Sequence, residues 1–207
     1  MSSYGIFENK DKTKKLVFYP CPKNANSSAK LFFARHLNIS DHFIFLGDEI
    51  PRYLQKQDDF KNKKNLVNFL PSKQPFVKVD ADYKCCIVRD PIKRFISTYK
   101  NRILYHKDEE FYNHSIDMII EKLENNLFEN KHFLPQTFFL GDDLGYYDFY
   151  ANVNNVSFFE KKINELLNKN IKFPRIQTGG NDYNINLNSF QKNKISEIYK
   201  TDFDFIS

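Results

Sequence analysis

Tryptophan is absent from the 207-residue sequence, and glycine occurs only 6 times and cysteine 3 times. The cysteines are Cys21, Cys85 and Cys86, whose spacing matches neither a zinc site nor a disulfide framework. We therefore expect buried free thiols in a reducing compartment. A secretory signal and an apolar run of about 18 residues are also missing, which predicts a cytoplasmic protein without a membrane span.

A large excess of one charge is missing as well, because 31 Lys and Arg against 26 Asp and Glu leave a net charge of +5. This charge helps to attract an anionic cofactor, but it falls short of a nucleic-acid footprint, so no nucleic-acid partner is expected. The length suits one domain with a core rich in phenylalanine, of which there are 22. We expect a flexible arm over residues 1–15 and a single domain over residues 16–207.

The stretch Leu16–Lys30, LVFYPCPKNANSSAK, is typical of a buried strand, a loop and the start of a helix. Asn26 or Ser27 is the expected N-cap. Lys23, Ser27 and Ser28 lie where the first N–H groups of the helix lack partners, a good receptor for phosphate or sulfate. The stretch has no Walker A glycines, and an ordinary capped helix is its plainer interpretation.

The stretch Lys84–Tyr99, KCCIVRDPIKRFISTY, repeats this pattern further along the chain. Its apolar run CCIV predicts a central strand that is buried on both faces. Asp90 suits an N-cap and Pro91 the first helical position. Arg89 therefore lies where a strand leads into a helix, the rim on which open α/β sheets bind ligands. Ser97 follows about two turns into that helix.

Strands that alternate with helices predict an α/β fold, with three α/β/α layers and a mainly parallel central sheet. Further strands are expected at Phe43–Leu46 and Phe76–Val79. Ser115 is expected to cap one later helix, and Ser157 to open another through a capping box with Glu160.

These stretches resemble motifs of the PAPS-dependent sulfotransferases, in particular the carbohydrate sulfotransferase branch. The family motif PK-x-x-x-[ST]-[ST] is matched by Pro22–Ser28. The motif V-R-D-P-x-x-R-x-x-S-x-Y is matched at every fixed position by Val88–Tyr99. A weaker resemblance, to H-[WF]-x-P-Q, covers Asn130–Gln136. The resemblance runs from about Leu16 to the end of the chain and implies the P-loop-NTPase-like sulfotransferase fold.

The resemblance also implies an activity, namely transfer of a sulfuryl group from 3′-phosphoadenosine-5′-phosphosulfate (PAPS) to a hydroxyl or amine, with PAP as the product and no metal. The acceptor would be a carbohydrate or another small molecule. Lys23 would neutralise the leaving 5′-phosphate, and Arg89 and Ser97 would bind the 3′-phosphate. The residues that would hold the 5′-phosphosulfate are Lys23, Asn24, Ala25, Asn26, Ser27 and Ser28.

The general base is not specified by any motif. His42, Asp48, Glu49 and Asp82 are candidates by their position after the first helix. His132 matches a family position, and we take it as the catalytic candidate, with a structural role as its alternative.

Two other functions stay open at this point. The first is a P-loop-like kinase that uses ATP, which the missing Walker lysine spacing opposes. The second is a non-catalytic nucleotide- or polyanion-binding module on the same fold, which the missing base favours. The sequence specifies neither the identity of the acceptor nor the oligomeric state.

Overall fold

A computed structural model describes residues 15–36, 75–126, 130–176 and 183–207, with the backbone alone for residues 5–8, 34 and 67–69. Within these ranges, five strands form one sheet in the order β3-β1-β2-β4-β5. The strands are β1 (Gly5–Glu8), β2 (Lys15–Tyr19), β3 (Val67–Phe69), β4 (Tyr83–Val88) and β5 (Phe149–Asn152). The sheet is mixed, because β2, β4 and β5 run parallel while β1 lies antiparallel to both β2 and β3.

The parallel strands form the buried centre of the sheet. Tyr19 pairs with Cys86, so the carboxyl ends of β2 and β4 emerge at the same edge. The runs Leu16–Tyr19 and Cys85–Val88 are buried along their whole length. This explains their continuous apolar sequence, since parallel strands are covered on both faces. The predicted α/β class and the two predicted central strands are confirmed.

The first residues of the chain differ from the predicted flexible arm over 1–15. Gly5–Glu8 is the strand β1, and Lys15 already belongs to β2. Ile6 pairs with Val17 across the antiparallel ladder. The physical reason is that β1 supplies partners for backbone groups that β2 would otherwise expose at an open edge.

Two further strand predictions have different outcomes. Phe43–Leu46 lies outside the described residues. The prediction of a strand at Phe76–Val79 is wrong, because the segment has no ladder partner within the described part of the chain. Its N–H groups bond elsewhere: that of Phe76 donates to the carbonyl of Phe138 at 2.8 Å. The N–H of Val79 donates to the Tyr146 hydroxyl at 2.8 Å.

Seven α-helices lie within the described ranges, and none of them is long and apolar enough to cross a membrane. They are α1 (Asn26–His36), α2 (Pro91–Thr98), α3 (Ile116–Glu124), α4 (Gln136–Leu140), α5 (Ser157–Leu166), α6 (Ser189–Ile198) and α7 (Lys200–Ile206). A π-helix, Tyr99–Tyr105, directly follows α2, and 3₁₀ turns occur at Glu109–Phe111 and Leu144–Tyr146.

Two of the four predicted helix starts, those at Asp90 and Ser115, are confirmed. The Asp90 carboxylate accepts from the N–H of Lys93, and the Ser115 hydroxyl accepts from the N–H of Met118. The prediction of a capping box at Ser157 is wrong, because Ser157 is already the first residue of α5. The Glu160 carboxylate accepts instead from the N–H of Phe173 at 2.7 Å, a contact outside its own helix.

The helices cover both faces of the sheet. Helices α1 and α5 pack on one face, around Leu16, Phe18, Ala29, Phe32, Phe33, Cys85, Ile87, Phe149, Phe159 and Ile163. The other strand residues pack with α4 and α7, around Val17, Tyr19, Cys86, Val88, Phe139, Leu140 and Phe205. A third cluster joins α2, α3 and α6. This arrangement confirms the three layers and leaves the carboxyl edge of β2 and β4 between them.

Candidate functional site

The loop between β2 and α1 carries the first of the predicted binding residues. Lys23 and Ala25 have positive backbone φ angles of 68° and 55°, a conformation that residues other than glycine adopt at a cost. The Ala25 carbonyl accepts from the N–H of Ala29 at 2.9 Å, so α1 is capped one residue before the predicted Asn26. The first N–H groups of α1 therefore lie at the end of a strained loop.

Asn24 and Gln136 anchor this loop to the sheet. Asn24 is 1% exposed, and its Nδ2 donates to the carbonyl of Ile87 and to Oε1 of Gln136, both at 2.9 Å. The buried Gln136 accepts from the N–H of Arg89 at 3.2 Å and donates to its carbonyl at 3.0 Å. One glutamine thereby fixes the loop after β2 against the residue that follows β4.

Arg89 lies directly on the loop. Its Nη1 donates to the backbone carbonyl of Lys23 at 2.9 Å. Within the described residues this is the one hydrogen bond of its side chain, so further guanidinium donors remain for a ligand. Burial, reinforced by the charge of Arg94, lowers the pKa of Arg89. The two predicted binding residues are thus brought together.

Arg94 supports the loop from inside the protein. Only 2% of this residue is exposed. Its Nε donates to the carbonyl of Pro22 at 3.2 Å, and its Nη2 donates to the carbonyl of His132 at 3.4 Å. The hydroxyl of Thr98 also donates to the His132 carbonyl, at 3.1 Å. Arg94 therefore joins helix α2 to both the loop and the segment of His132.

Four cations and a histidine share one electrostatic environment, which we call the cationic cluster: Lys23, Arg89, Arg94, Arg102 and His132. Burial, and then the charges of three arginines, lower the pKa of Lys23 from 10.5 to about 7. Burial, and then Arg102 and Lys23, lower the pKa of His132 from 6.5 to about 3. Like charges repel one another in this partly buried place, and a bound anion relieves that repulsion.

Arg102 was not predicted as a site residue. It belongs to the π-helix Tyr99–Tyr105, and such helices are frequent at functional sites. Its Nε and Nη2 donate to the two carboxylate oxygens of Asp108, each at 2.6 Å, in a two-pronged ion pair. Helical periodicity in the sequence cannot reveal the extra residue in each π-turn, so it gives no signal for this position.

Two buried oxygen atoms beside the loop lack a donor. They are Oδ1 of Asn24 and Oδ1 of Asn26, which find no hydrogen-bond partner within the described part of the chain. Buried acceptors are normally paired, so two unpaired acceptors on one loop are unusual. The loop thus combines two unpaired buried acceptors with Lys23, a cation of the cationic cluster.

The predicted serines have different environments. Ser28 is buried, and its hydroxyl oxygen accepts from the N–H of Ile176 at 3.3 Å, while no acceptor among the described residues takes its proton. Ser27 is half-buried in the first turn of α1. Ser97 is half-buried in α2, and in the described part of the protein it makes no hydrogen bond to Arg89 or to the loop.

Of the five candidate bases, the structure describes Asp82 and His132. The open candidate Asp82 is not at the site, because it lies before β4, at the amino end of the strand, where its carboxylate accepts from the N–H of Lys15. At about 3.3 Å per residue, β4 places it roughly 20 Å from the carboxyl edge. His42, Asp48 and Glu49 lie outside the described residues. His132 belongs to the cationic cluster, and its Nδ1 lies 2.7 Å from Oδ1 of Asn130.

Asp202 is a further residue that the sequence did not reveal. Its carboxylate accepts from the N–H of Gln136 at 2.8 Å, and from the N–H and hydroxyl of Thr137, both at 2.9 Å. It thus caps helix α4 from a position 66 residues away. Burial raises the pKa of Asp202, while the charge of Arg94 opposes this shift. A cap from so distant a residue leaves no local pattern.

The last features of the site are its potential metal ligands and the similarity of the chain to known proteins. Within the described residues, no group of three or more His, Cys, Asp and Glu side chains lies close enough together to hold a metal ion. A family model described as the sulfotransferase family matches residues 9–205, which include both motif stretches. No curated protein and no solved structure matches the chain.

Proposed function

Because the chain belongs to the sulfotransferase family, we propose that it transfers a sulfuryl group from PAPS to a hydroxyl or amine of a carbohydrate or similar small acceptor. The observation that carries this proposal is the cationic cluster at the carboxyl edge of β2 and β4. PAPS bears phosphate groups at both its 5′ and 3′ ends. The loop cation Lys23 and the strand-end cation Arg89 offer a partner for each end.

The loop residues would hold the 5′-phosphosulfate. The N–H groups at the start of α1 and the hydroxyls of Ser27 and Ser28 are the donors that suit its oxygens. Asn24, through its bonds to Ile87 and Gln136, keeps the loop in the conformation that offers them. Arg89 would bind the 3′-phosphate, and Ser97 lies on the helix that Arg89 precedes.

Lys23 would supply the charge that the transfer needs. The acceptor oxygen forms a bond to sulfur as the bond from sulfur to the 5′-phosphate oxygen breaks. That oxygen keeps the electron pair. An ammonium group beside it neutralises the developing charge, which is the main way in which proteins accelerate such loose in-line transfers. Bound anions raise the proton affinity of Lys23, so donor binding would charge the residue that the reaction uses.

His132 would accept the proton of the acceptor hydroxyl. It lies in the cationic cluster beside Lys23 and is half-buried. Its lowered pKa keeps the imidazole neutral near pH 7, the form that accepts a proton. The negative charges of a bound donor oppose those of Lys23 and Arg102 and thereby strengthen this base.

Calorimetric titration tests the donor site. Wild type, Arg89→Ala and the control Lys93→Ala, which changes an exposed lysine, are titrated with adenosine 3′,5′-bisphosphate and separately with Mg·ATP. We expect bisphosphate binding without added magnesium in wild type and Lys93→Ala, and its loss in Arg89→Ala. Preference for Mg·ATP would contradict the proposal and favour the kinase alternative. No binding of the bisphosphate would also contradict the proposal.

A further inference from the structure

Asn130 connects His132 to the ion pair of the π-helix. Its Nδ2 lies 3.2 Å from Oδ2 of Asp108 and 2.5 Å from Oε1 of Glu110. Its Oδ1 lies 3.0 Å from the backbone nitrogen and 2.7 Å from Nδ1 of His132. Asp108 in turn is held by Arg102. A continuous hydrogen-bonded chain therefore runs from Arg102 through Asp108 and Asn130 to the imidazole.

The partners of Asn130 determine the orientation of its amide. Ionised carboxylates only accept hydrogen bonds, so the atom that faces Asp108 and Glu110 is the amide nitrogen. A backbone N–H only donates, so the atom that faces the nitrogen of His132 is the amide oxygen. All the contacts agree on one orientation, and a flipped amide would satisfy none of them.

This orientation determines where the imidazole carries its proton. Oδ1 of Asn130 is an acceptor, so Nδ1 of His132 must be the donor of their 2.7 Å hydrogen bond. In the neutral ring, Nε2 then has a free electron pair. Within the described residues Nε2 makes no hydrogen bond. The ring nitrogen that remains available is thus the one able to accept a proton.

We infer that Asn130 is a positioning residue, which holds His132 in the Nδ1–H tautomer so that Nε2 accepts the proton of the sulfuryl acceptor. This inference rests on the proposed function only for the identity of that proton. The acceptor O–H bond breaks and its proton forms a bond to Nε2. The acceptor oxygen forms its bond to sulfur as the bond from sulfur to the 5′-phosphate oxygen breaks, and the leaving oxygen keeps that electron pair. Asp108 and Arg102 hold Asn130 in turn, which gives the π-helix a role in the site.

The tautomer is measured directly by two-bond ¹H–¹⁵N correlation NMR of the histidine rings, with His132→Gln used to assign the signal. We expect the Nδ1–H tautomer in wild type. In Asn130→Ala, the Nε2–H form that predominates in free imidazoles should appear. An Nε2–H ring in wild type, or an unchanged ring in Asn130→Ala, would overturn the inference. This readout does not depend on activity, so it stands apart from a failure of the proposed function.

A second variant separates positioning from a merely structural role. Asn130→Asp keeps an oxygen toward His132 but loses the donors toward Asp108 and Glu110. We expect it to retain the Nδ1–H tautomer and a larger kcat than Asn130→Ala. If Asn130 only anchors the loop, Asn130→Asp should be at least as damaging as Asn130→Ala, and that result would overturn the inference.

Kinetics with PAPS complete the test. We expect kcat to fall about 10- to 100-fold in Asn130→Ala, a part of the roughly 10²- to 10⁴-fold that a positioned base contributes. The dissociation constant of adenosine 3′,5′-bisphosphate should stay within about twofold. Asn193→Ala, at an exposed asparagine of α6, is the matched control and should leave both values unchanged. A wild-type kcat in Asn130→Ala would overturn the inference.

Discussion

The guanidinium of Arg89 donates a hydrogen bond of 2.9 Å to the backbone carbonyl of Lys23, across 66 residues of sequence. This contact joins the two motif stretches into one site. It also brings two cations together in a partly buried place. Burial, and then the charges of Arg89 and two further arginines, lower the pKa of Lys23, while burial and then the charge of Arg94 lower the pKa of Arg89. Because these like charges repel one another in the free protein, the site is suited to a ligand that carries several negative charges.

Bisphosphate binding should weaken as the pH rises above 7. In the free protein the pKa of Lys23 is about 7, below its usual 10.5. A bound anion favours the ammonium form, so binding at pH 8 takes up a proton. The association constant should then fall by up to about tenfold for each pH unit between 7.5 and 8.5. Calorimetry in two buffers of different ionisation enthalpy measures this proton uptake.

Lys23→Arg is the control for this pH dependence. Arginine stays charged over the whole range, so this variant should bind the bisphosphate without proton uptake and with a nearly constant affinity. The ligand itself is almost fully ionised above pH 7.5, since the second pKa of a phosphate monoester is about 6. Equal proton uptake in Lys23→Arg and wild type would assign the titration to another group and contradict this account of Lys23.

The protein should lose stability in mild acid partly because of His132. Its pKa is about 3 in the folded protein and 6.5 in its ordinary state. Between these values the unfolded chain binds a proton that the folded chain does not, so the free energy of unfolding falls as the pH is lowered. The cause is burial, followed by the charges of Arg102, Lys23, Lys131 and Arg94.

The measurement compares urea unfolding of wild type and His132→Gln at pH 7 and at about pH 4.5. Wild type should lose up to about 2 kcal/mol more than the variant over this range. This loss is smaller than the one that the whole pKa difference of His132 would cause, because the imidazole is partly exposed to water. Parallel pH dependence of the two proteins would show that His132 is not held neutral by its surroundings.

Removal of the Asp202 carboxylate should destabilise the protein and the site together. Asp202→Ala removes the carboxylate that accepts from three buried or partly buried donors of Gln136 and Thr137, which costs roughly 2–4 kcal/mol. Bisphosphate affinity should also fall, because Gln136 positions the backbone of Arg89. Urea unfolding gives the first effect and calorimetry the second.

The exposed Asp204 provides the matched control for Asp202. Asp204→Ala should stay within about 0.5 kcal/mol of wild type, as surface substitutions usually do. If Asp202→Ala behaved in the same way, the distant cap of α4 would not contribute to folding.

Local patterns in the sequence predicted the parts of the fold that local physics determines. Unbroken apolar runs indicated β2 and β4, and the caps at Asp90 and Ser115 followed from their short polar side chains before helical stripes. The family assignment came from two motifs of fixed spacing, and the matching family model confirms it. The acceptor, the donor and the cytoplasmic location stay predictions.

Contacts between distant segments account for what the sequence did not reveal. Gln136 and Asp202 reach the site through bonds that span 47 to 112 residues, and no local pattern encodes them. Asp82, one of the open candidates for the base, precedes β4 and so lies at the amino end of this strand, away from Arg89. Arg102 depends on a π-helix, whose period differs from the 3.6 residues that helix patterns assume.

Transfer of ³⁵S from labelled PAPS to a panel of saccharides, with wild type and Lys23→Met compared, tests the central claim most directly. We expect wild type to form labelled saccharide and PAP in equal amounts. Lys23→Met should lose turnover by at least about 100-fold, since it removes the charge that faces the leaving phosphate. Bisphosphate binding without any transfer or release of PAP would contradict the enzymatic claim and indicate a non-catalytic binding module.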